Sequence, residues 1–196
     1  EVWVPTLARQ LATLDHLLDG RLIVNVISSE MPGESLDAES RYQRTVEHMI
    51  ALRTLLDGGR LQVDGEWLGV DVDPPRLTTV SRQCPPLYFG GLSEAAREVA
   101  ARCADVYLMW PDTYDQIAAT VADLRGRAAR HDRELSFGYR VHVVVRPTEA
   151  EARVAADHLV AGLDPAIGDA IRSRSLDSTS VGVKAQAALR VGSDED

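Results

Sequence analysis

Four short apolar runs alternate with longer amphipathic segments, and this alternation constrains the fold more than any other feature of the chain. Each run has the length of a strand and few polar interruptions, as is typical of parallel strands covered on both faces. Strands that alternate with helices form right-handed βαβ units around a parallel sheet. The sequence therefore predicts an α/β fold with strands at residues 21–27, 87–89, 105–109 and 135–146.

Helices are predicted between these strands, because apolar residues recur there at helical spacing. A further helix follows the last strand, where Thr148 and Glu151 have the spacing of a capping box. Asp64 and Gly65 separate two short apolar runs, which is the pattern of an antiparallel hairpin with a tight turn. The predicted helices cover about residues 4–20, 37–57, 94–103 and 112–131, and the last runs from 148 onward.

Composition and charge argue against several classes of function. The 196 residues carry a net charge of -9 with a pI near 5.0, whereas nucleic-acid binders usually show a basic stripe. Cys84 and Cys103 have neither a disulfide-framework spacing nor a zinc-ligand spacing. No apolar run reaches the roughly 20 residues that a membrane-spanning helix needs. We therefore expect a cytoplasmic protein without a metal site, a nucleic-acid partner or a membrane segment.

The last predicted strand carries two ionisable side chains on one face. Because side chains alternate along a strand, Arg140 and His142 point to one face while the intervening valines point to the other. Burying a guanidinium and an imidazole costs free energy unless anionic or polar groups meet them. The partner is either a bound ligand or a carboxylate from another strand, which would make the pair part of a salt-bridged barrel interior.

A second candidate site is the step Gly90-Gly91-Leu92-Ser93, between the second strand and its helix. Bare backbone N–H groups, a hydroxyl and the positive end of a helix together suit an anion such as phosphate. The simpler alternative is a tight turn with Ser93 as the helix cap, and the residues alone leave both open. Tyr42 and Trp110 are further candidates, as a phenol donor and a pocket wall, although both also suit packing positions.

Several of these segments occur together, in the same order, in one known family. They are Arg41-Tyr42, the string Tyr88-Phe89-Gly90-Gly91, the run from Asp105 to Trp110 and the run from Gly138 to Arg146. On these motifs the chain resembles the bacterial luciferase-like flavin monooxygenases. Within that family it is most similar to the alkanesulfonate monooxygenases, in collinear order from about Ala8 to Leu189.

The resemblance implies a TIM (β/α)8 barrel that uses reduced FMN supplied by a separate NAD(P)H-dependent FMN reductase. Such enzymes react the flavin with O2 to a peroxyflavin and oxygenate an organosulfonate, which releases sulfite and an aldehyde. Arg140 and His142 would then be catalytic, and Trp110 would line the substrate pocket. The residues implied in cofactor binding are Ser28 and Ser29 along the flavin, Tyr42 and Ser93 at its phosphate, and Gly91.

Length and three local departures limit what the resemblance implies. A complete barrel has eight strands, and the four predicted here match the fourth to the seventh, which makes this an incomplete barrel. Residues 1–162 would form the partial barrel and residues 163–196 a helical or disordered insertion. The loop after the first strand is shorter than in the alkanesulfonate enzymes, Ser40 replaces a glutamate, and Leu92 replaces a second serine. The exact sulfonate, and the choice between FMN and the deazaflavin F420, therefore stay open.

Three functional hypotheses follow from the residues and the resemblance. The first is the central part of a flavin-dependent monooxygenase that acts as an intact, homo-oligomeric barrel. The second is a catalytically silent flavin-binding or structural partner, whose open sheet edges another chain would cover. The third is an F420-dependent oxidoreductase of the same superfamily.

Overall fold

The computed structural model describes residues 2–28, 36–162, 164, 166 and 167. The chain divides into two compact units, Glu1–Tyr139 and Arg140–Asp196. The predicted insertion at 163–196 lies almost entirely outside the described residues, so its boundary at 162 stays a prediction.

A four-stranded parallel sheet forms the centre of the first unit and confirms the predicted α/β fold. In chain order the elements are α1 (Val4–Leu17), β1 (Val24–Val26), α2 (Ala38–Leu56), β2 (Leu61–Asp64), β3 (Gly69–Val72), β4 (Leu87–Phe89), α3 (Glu94–Cys103), β5 (Val106–Met109), α4 (Tyr114–Ala129) and β6 (Ser136–Tyr139). Strands β1, β4, β5 and β6 lie side by side in that order, and β2 pairs with β3 as a separate hairpin. The sheet thus has half of the eight strands of a complete barrel.

The two faces of the sheet differ in burial. Phe89 and Tyr107 are register partners on β4 and β5, and both are fully buried in the core with the helices. Asn25 and Ser136 belong to the adjacent register row, point to the opposite face and are exposed. Because side chains alternate along each strand, one face packs under helices, and the other is exposed at Asn25 and Ser136 in the part of the chain that the structure describes.

The hairpin is confirmed, but its turn is displaced from the predicted Asp64-Gly65. Asp64 pairs with Gly69, and the Gly65 N–H donates to the Leu68 carbonyl oxygen at 3.0 Å, so the turn is centred on Glu66 and Trp67. The Glu47 carboxylate on α2 accepts hydrogen bonds from the backbone N–H groups of Glu66 and Trp67, at 3.2 and 3.0 Å. This tertiary contact stabilises the turn at its observed position, and the local Asp-Gly signal contains no information about it.

The strand predicted over residues 135–146 is much shorter in the structure. β6 ends at Tyr139, whose register partner Met109 is the last residue of β5. Pro111 follows soon after Met109 and has no N–H to offer a ladder, so the neighbouring strand cannot continue. Arg140 and His142 therefore lie beyond β6 with exposed side chains, and the prediction that a strand places them on one face is wrong.

The helix caps agree closely with the predicted starts. Thr113, and not the predicted Asp112, is the N-cap of α4, and its hydroxyl accepts from the Gln116 N–H at 3.4 Å. In the second unit α5 spans Glu149–Ala161. Its capping box is confirmed, since the Thr148 N–H donates to the Glu151 carboxylate at 3.0 Å and the Glu151 N–H donates to the Thr148 hydroxyl at 3.3 Å. Across the described ranges, no helix combines the length and apolar character required to cross a membrane.

Asp105 connects several elements at the amino ends of the strands. Its Oδ2 accepts hydrogen bonds from the Leu87 N–H and the Arg53 guanidinium, both at 2.8 Å. Its Oδ1 accepts from Arg133 at 3.3 Å. The three charged side chains are 26 to 34% exposed, so water screens the cluster only in part. In barrels this end of the sheet contributes to stability, and ligands bind at the other end.

Both cysteines are free thiols in the first unit. Burial raises the pKa of Cys84 to about 12 and shifts the pKa of Cys103 upward as well. Protonated thiols are poor nucleophiles and poor metal ligands. Within the described ranges no group of three or more His, Cys, Asp or Glu side chains is arranged to hold a metal ion.

Candidate functional site

The predicted cofactor residues lie beyond the carboxyl ends of two neighbouring strands. Ser28 follows β1, while Gly91 and Ser93 follow β4, and the two strands pair in parallel. Tyr42 approaches from the second turn of α2 and contacts Ser93. Parallel sheets and barrels bind their ligands at this edge. Ser29 lies outside the described residues.

Ser93 both caps α3 and contacts the Tyr42 hydroxyl. Its Oγ donates a hydrogen bond to the Tyr42 hydroxyl at 3.3 Å and accepts one from the Ala96 N–H at 3.2 Å. Ser93 is thus the N-cap of α3, as the simpler alternative predicted. The same oxygen also contacts the hydroxyl of Tyr42, the other residue predicted to bind phosphate. Both hydroxyl side chains are half-buried, so they remain partly open to a ligand.

Gly91 brings the loop backbone against the first turns of α3. A Cβ at this position would lie 2.6 Å from the Cβ of Ala96, which is fully buried. A methyl group on a packed helix cannot rotate away, so a side chain at position 91 would displace the loop. The same Cβ would lie 3.8 Å from the Tyr42 hydroxyl. The absence of a side chain therefore lets the loop backbone pack against Ala96, with the Tyr42 hydroxyl nearby.

Replacing Gly91 by alanine should destabilise the protein by about 1–3 kcal/mol, because the new methyl group overlaps Ala96. The displaced loop should also weaken binding of reduced FMN. Urea unfolding followed by circular dichroism measures the first effect, and an anaerobic flavin titration measures the second.

Gly126→Ala is the matched control for this substitution. Gly126 lies in α4, and a Cβ there would meet no atom within 4 Å. Because alanine favours a helix over glycine by about 1 kcal/mol, this variant should be at least as stable as the wild type. Equal stability of Gly91→Ala and Gly126→Ala would contradict the close-approach argument.

The electrostatic character of this edge suits an anion. The first N–H groups of α3 have no intrahelical partners, and the helix dipole adds positive potential there. Glu94, the acidic residue of that turn, pairs with Arg127 on α4. The Tyr42 hydroxyl, which accepts a hydrogen bond from Ser93 and retains its own proton, adds a neutral donor beside the same turn. These groups fit a phosphate, and they would hold the phosphate of a flavin mononucleotide.

Arg41 is a buried charge beside this site to which the sequence analysis assigned no role. Its side chain is only 7% exposed, and its carbonyl oxygen accepts a hydrogen bond from Ser28 Oγ at 3.4 Å. Helical spacing could have predicted the burial of Arg41. Arg41 shares one buried face of α2 with Thr45, Met49 and Leu52. The Ser28 contact connects the end of β1 to the start of α2.

The remaining predicted residues do not join this cluster. Trp110 follows the carboxyl end of β5 and is half-buried. Arg140 and His142 follow β6, but they belong to the second unit. Their catalytic roles, and the pocket role of Trp110, therefore stay predictions.

Four parallel strands packed against helices, with hydroxyl groups beyond their carboxyl ends, define part of an α/β barrel. The chain belongs to the luciferase-like monooxygenase family, whose sequence profile matches residues 5–195. The predicted family and fold are thus confirmed.

Two curated relatives have the same name. Sulfoquinovose monooxygenase of Novosphingobium aromaticivorans is 53% identical over 203 aligned positions, which cover 100% of this chain and 56% of the relative. Sulfoquinovose monooxygenase of Agrobacterium fabrum is 49% identical over 187 positions, covering 94% of this chain and 48% of the relative. The chain therefore spans about half the length of the curated relatives it matches.

Solved structures share the fold at lower identity. EDTA monooxygenase from Chelativorans sp. BNC1 superposes with a TM-score of 0.78 at 20% identity, covering 94% of this chain and 54% of that chain. At this identity the superposition supports the barrel architecture alone.

Proposed function

We propose that the full-length gene product is a reduced-flavin-dependent monooxygenase that cleaves the carbon–sulfur bond of sulfoquinovose, a sugar sulfonate. The observation that carries the proposal is the 53% identity, over the whole chain, with a relative of that name. The relative at 49% identity supports the same substrate. We therefore propose sulfoquinovose as the substrate in place of a simple alkanesulfonate. Both compounds carry the same anionic sulfonate group.

Reduced FMN is the cofactor that the residues of this chain support. The hydroxyls of Tyr42 and Ser93 and the bare backbone at Gly91 would hold its phosphate at the start of α3. Ser28 and Ser29 would lie along the flavin. When bound, the reduced flavin supplies the two electrons with which O2 is activated. A separate NAD(P)H-dependent FMN reductase and a homo-oligomeric barrel belong to the same proposal.

On the family resemblance, Arg140 and His142 are the residues proposed to act on the substrate. A guanidinium forms bidentate, charge-assisted hydrogen bonds with sulfonate oxygens, which is the role proposed for Arg140. The imidazole of His142 would donate or accept the proton that moves as carbon becomes a carbonyl. Trp110, in the first unit, is proposed on the resemblance alone as a pocket-lining residue. One atom of O2 enters the carbonyl product, the other leaves as water, and sulfite departs.

Sulfite release by the full-length gene product tests this proposal. The assay contains FMN, a flavin reductase, NADH and either sulfoquinovose or octanesulfonate. We expect sulfite from sulfoquinovose with a kcat/KM at least about tenfold above that for octanesulfonate, because the sugar hydroxyls offer hydrogen bonds that an alkyl chain lacks. Omitting the reductase should abolish the reaction.

The other outcomes distinguish the remaining hypotheses. Turnover of octanesulfonate alone would identify an alkanesulfonate monooxygenase. Activity with reduced F420 but not with reduced FMN would identify a deazaflavin-dependent oxidoreductase. A protein that binds flavin but releases no sulfite from either compound would support the second hypothesis, a catalytically silent flavin-binding protein.

A further inference from the structure

Tyr107 is a residue of β5 whose side chain points into the core. Tyr107 is fully buried, and its hydroxyl donates a hydrogen bond to the Gly91 carbonyl oxygen at 2.6 Å. Burial raises the pKa of Tyr107, against the opposing effect of the nearby Arg97 guanidinium. The hydroxyl therefore stays protonated near neutral pH and acts as the donor in this contact.

Arg97 lies near the Tyr107 hydroxyl, where its positive charge acts on the phenol. Its guanidinium donates to the Asp123 carboxylate at 3.1 Å. Asp123 accepts a further hydrogen bond from Arg127 Nε at 2.8 Å. Because Arg97 lies on α3 and Asp123 on α4, this ion pair joins the two helices beside Tyr107.

The consequence for the loop follows from peptide geometry. A trans peptide is planar, so its N–H points opposite to its carbonyl oxygen. The Gly91 carbonyl is held toward Tyr107, and the N–H of Leu92 in the same peptide unit consequently points away from Tyr107. Breaking the hydrogen bond would leave a partly buried carbonyl without this donor and let the peptide rotate.

We propose that Tyr107 is a positioning residue that orients the Gly91–Leu92 peptide for phosphate, so that the site selects phosphorylated flavin over riboflavin. The inference rests on the proposed function, because it takes the start of α3 as the flavin phosphate site. It goes beyond that function by assigning cofactor selectivity to a buried side chain that touches neither flavin nor substrate. Tyr107 acts through the loop backbone alone.

Tyr107→Phe in the full-length gene product tests the assignment. Phenylalanine keeps the ring and removes only the hydroxyl. Anaerobic titrations with reduced FMN and with reduced riboflavin measure the two dissociation constants. We expect an FMN affinity lowered about tenfold and a riboflavin affinity within about twofold of the wild type, since one hydrogen bond is lost at the phosphate end only.

Tyr114→Phe is the matched control, because this tyrosine begins α4 and is 94% exposed. It should leave both affinities unchanged. Equal losses for FMN and riboflavin in Tyr107→Phe would mean general damage to the fold and would overturn the proposal, as would unchanged affinities. Arg97→Lys provides a second variant if Tyr107→Phe does not fold, with the same selective loss of FMN affinity expected in smaller measure.

Failure of the proposed function has a different signature. If the wild-type protein binds neither FMN nor riboflavin, the proposed flavin site is wrong, and the positioning role of Tyr107 is wrong with it. A wild-type protein that prefers FMN over riboflavin, together with a variant that keeps this preference, would overturn the Tyr107 assignment alone.

Discussion

Replacing Arg140 by alanine should lower kcat/KM for the sulfonate about 100-fold, because in the proposed function the substrate anion then loses a bidentate, charge-assisted partner. Arg140→Lys should recover part of this loss, since lysine keeps the charge but cannot form the planar fork. Sulfite release, measured at several sulfonate concentrations, separates an effect on KM from one on kcat. An effect confined to KM would indicate that Arg140 binds the substrate without acting in the chemical step.

Arg153→Ala is the control for this prediction. Arg153 lies on α5 of the same unit, is 71% exposed and pairs with Glu149 one helical turn away. Its loss should change kcat/KM less than about twofold, because exposed ion pairs contribute little free energy. Full activity in Arg140→Ala would exclude this residue from the site.

Replacing Asp105 by alanine should lower the free energy of unfolding by about 3 kcal/mol. The substitution removes the acceptor of the Leu87 N–H and leaves the partly buried guanidiniums of Arg53 and Arg133 without their carboxylate. Urea unfolding of the full-length gene product measures the change. Because Asp105 lies at the amino ends of the strands, flavin affinity should change little wherever the protein remains folded.

Asp73→Ala separates this effect from the loss of any aspartate. Asp73 pairs with Arg60 at 2.7 Å, but its side chain is 77% exposed. Its removal should therefore cost at most about 0.5 kcal/mol. If the two variants were equally stable, Asp105 would not be a structural centre of the sheet.

The sequence predicted the elements of the first unit well, because their signals are local. Helix α3 begins and ends where expected, since Ser93 caps it and apolar side chains recur on its inner face. The parallel strands β4 and β5 were evident from short apolar runs between helices. Capping and alternation depend on residues within a few positions of each other, so a single sequence contains them.

The last strand was predicted too long for a reason that local pattern cannot supply. Alternating apolar residues continue past Tyr139, but a strand also needs a hydrogen-bonded neighbour. β5 ends at Met109 opposite Tyr139, and the length of one strand thus limits the other. Arg140 and His142 consequently remain candidates through the family resemblance and no longer through strand geometry.

The family, the α/β class and the candidate phosphate residues could be predicted from the order of motifs along the chain. Tertiary packing alone revealed which of those residues lie in contact. Ser93 meets Tyr42 across 51 positions of sequence, and Arg53 meets Asp105 across 52. The contact of Tyr107 with Gly91 likewise depends on the alignment of two strands. Such contacts depend on strand register and helix packing, which short-range propensities do not specify.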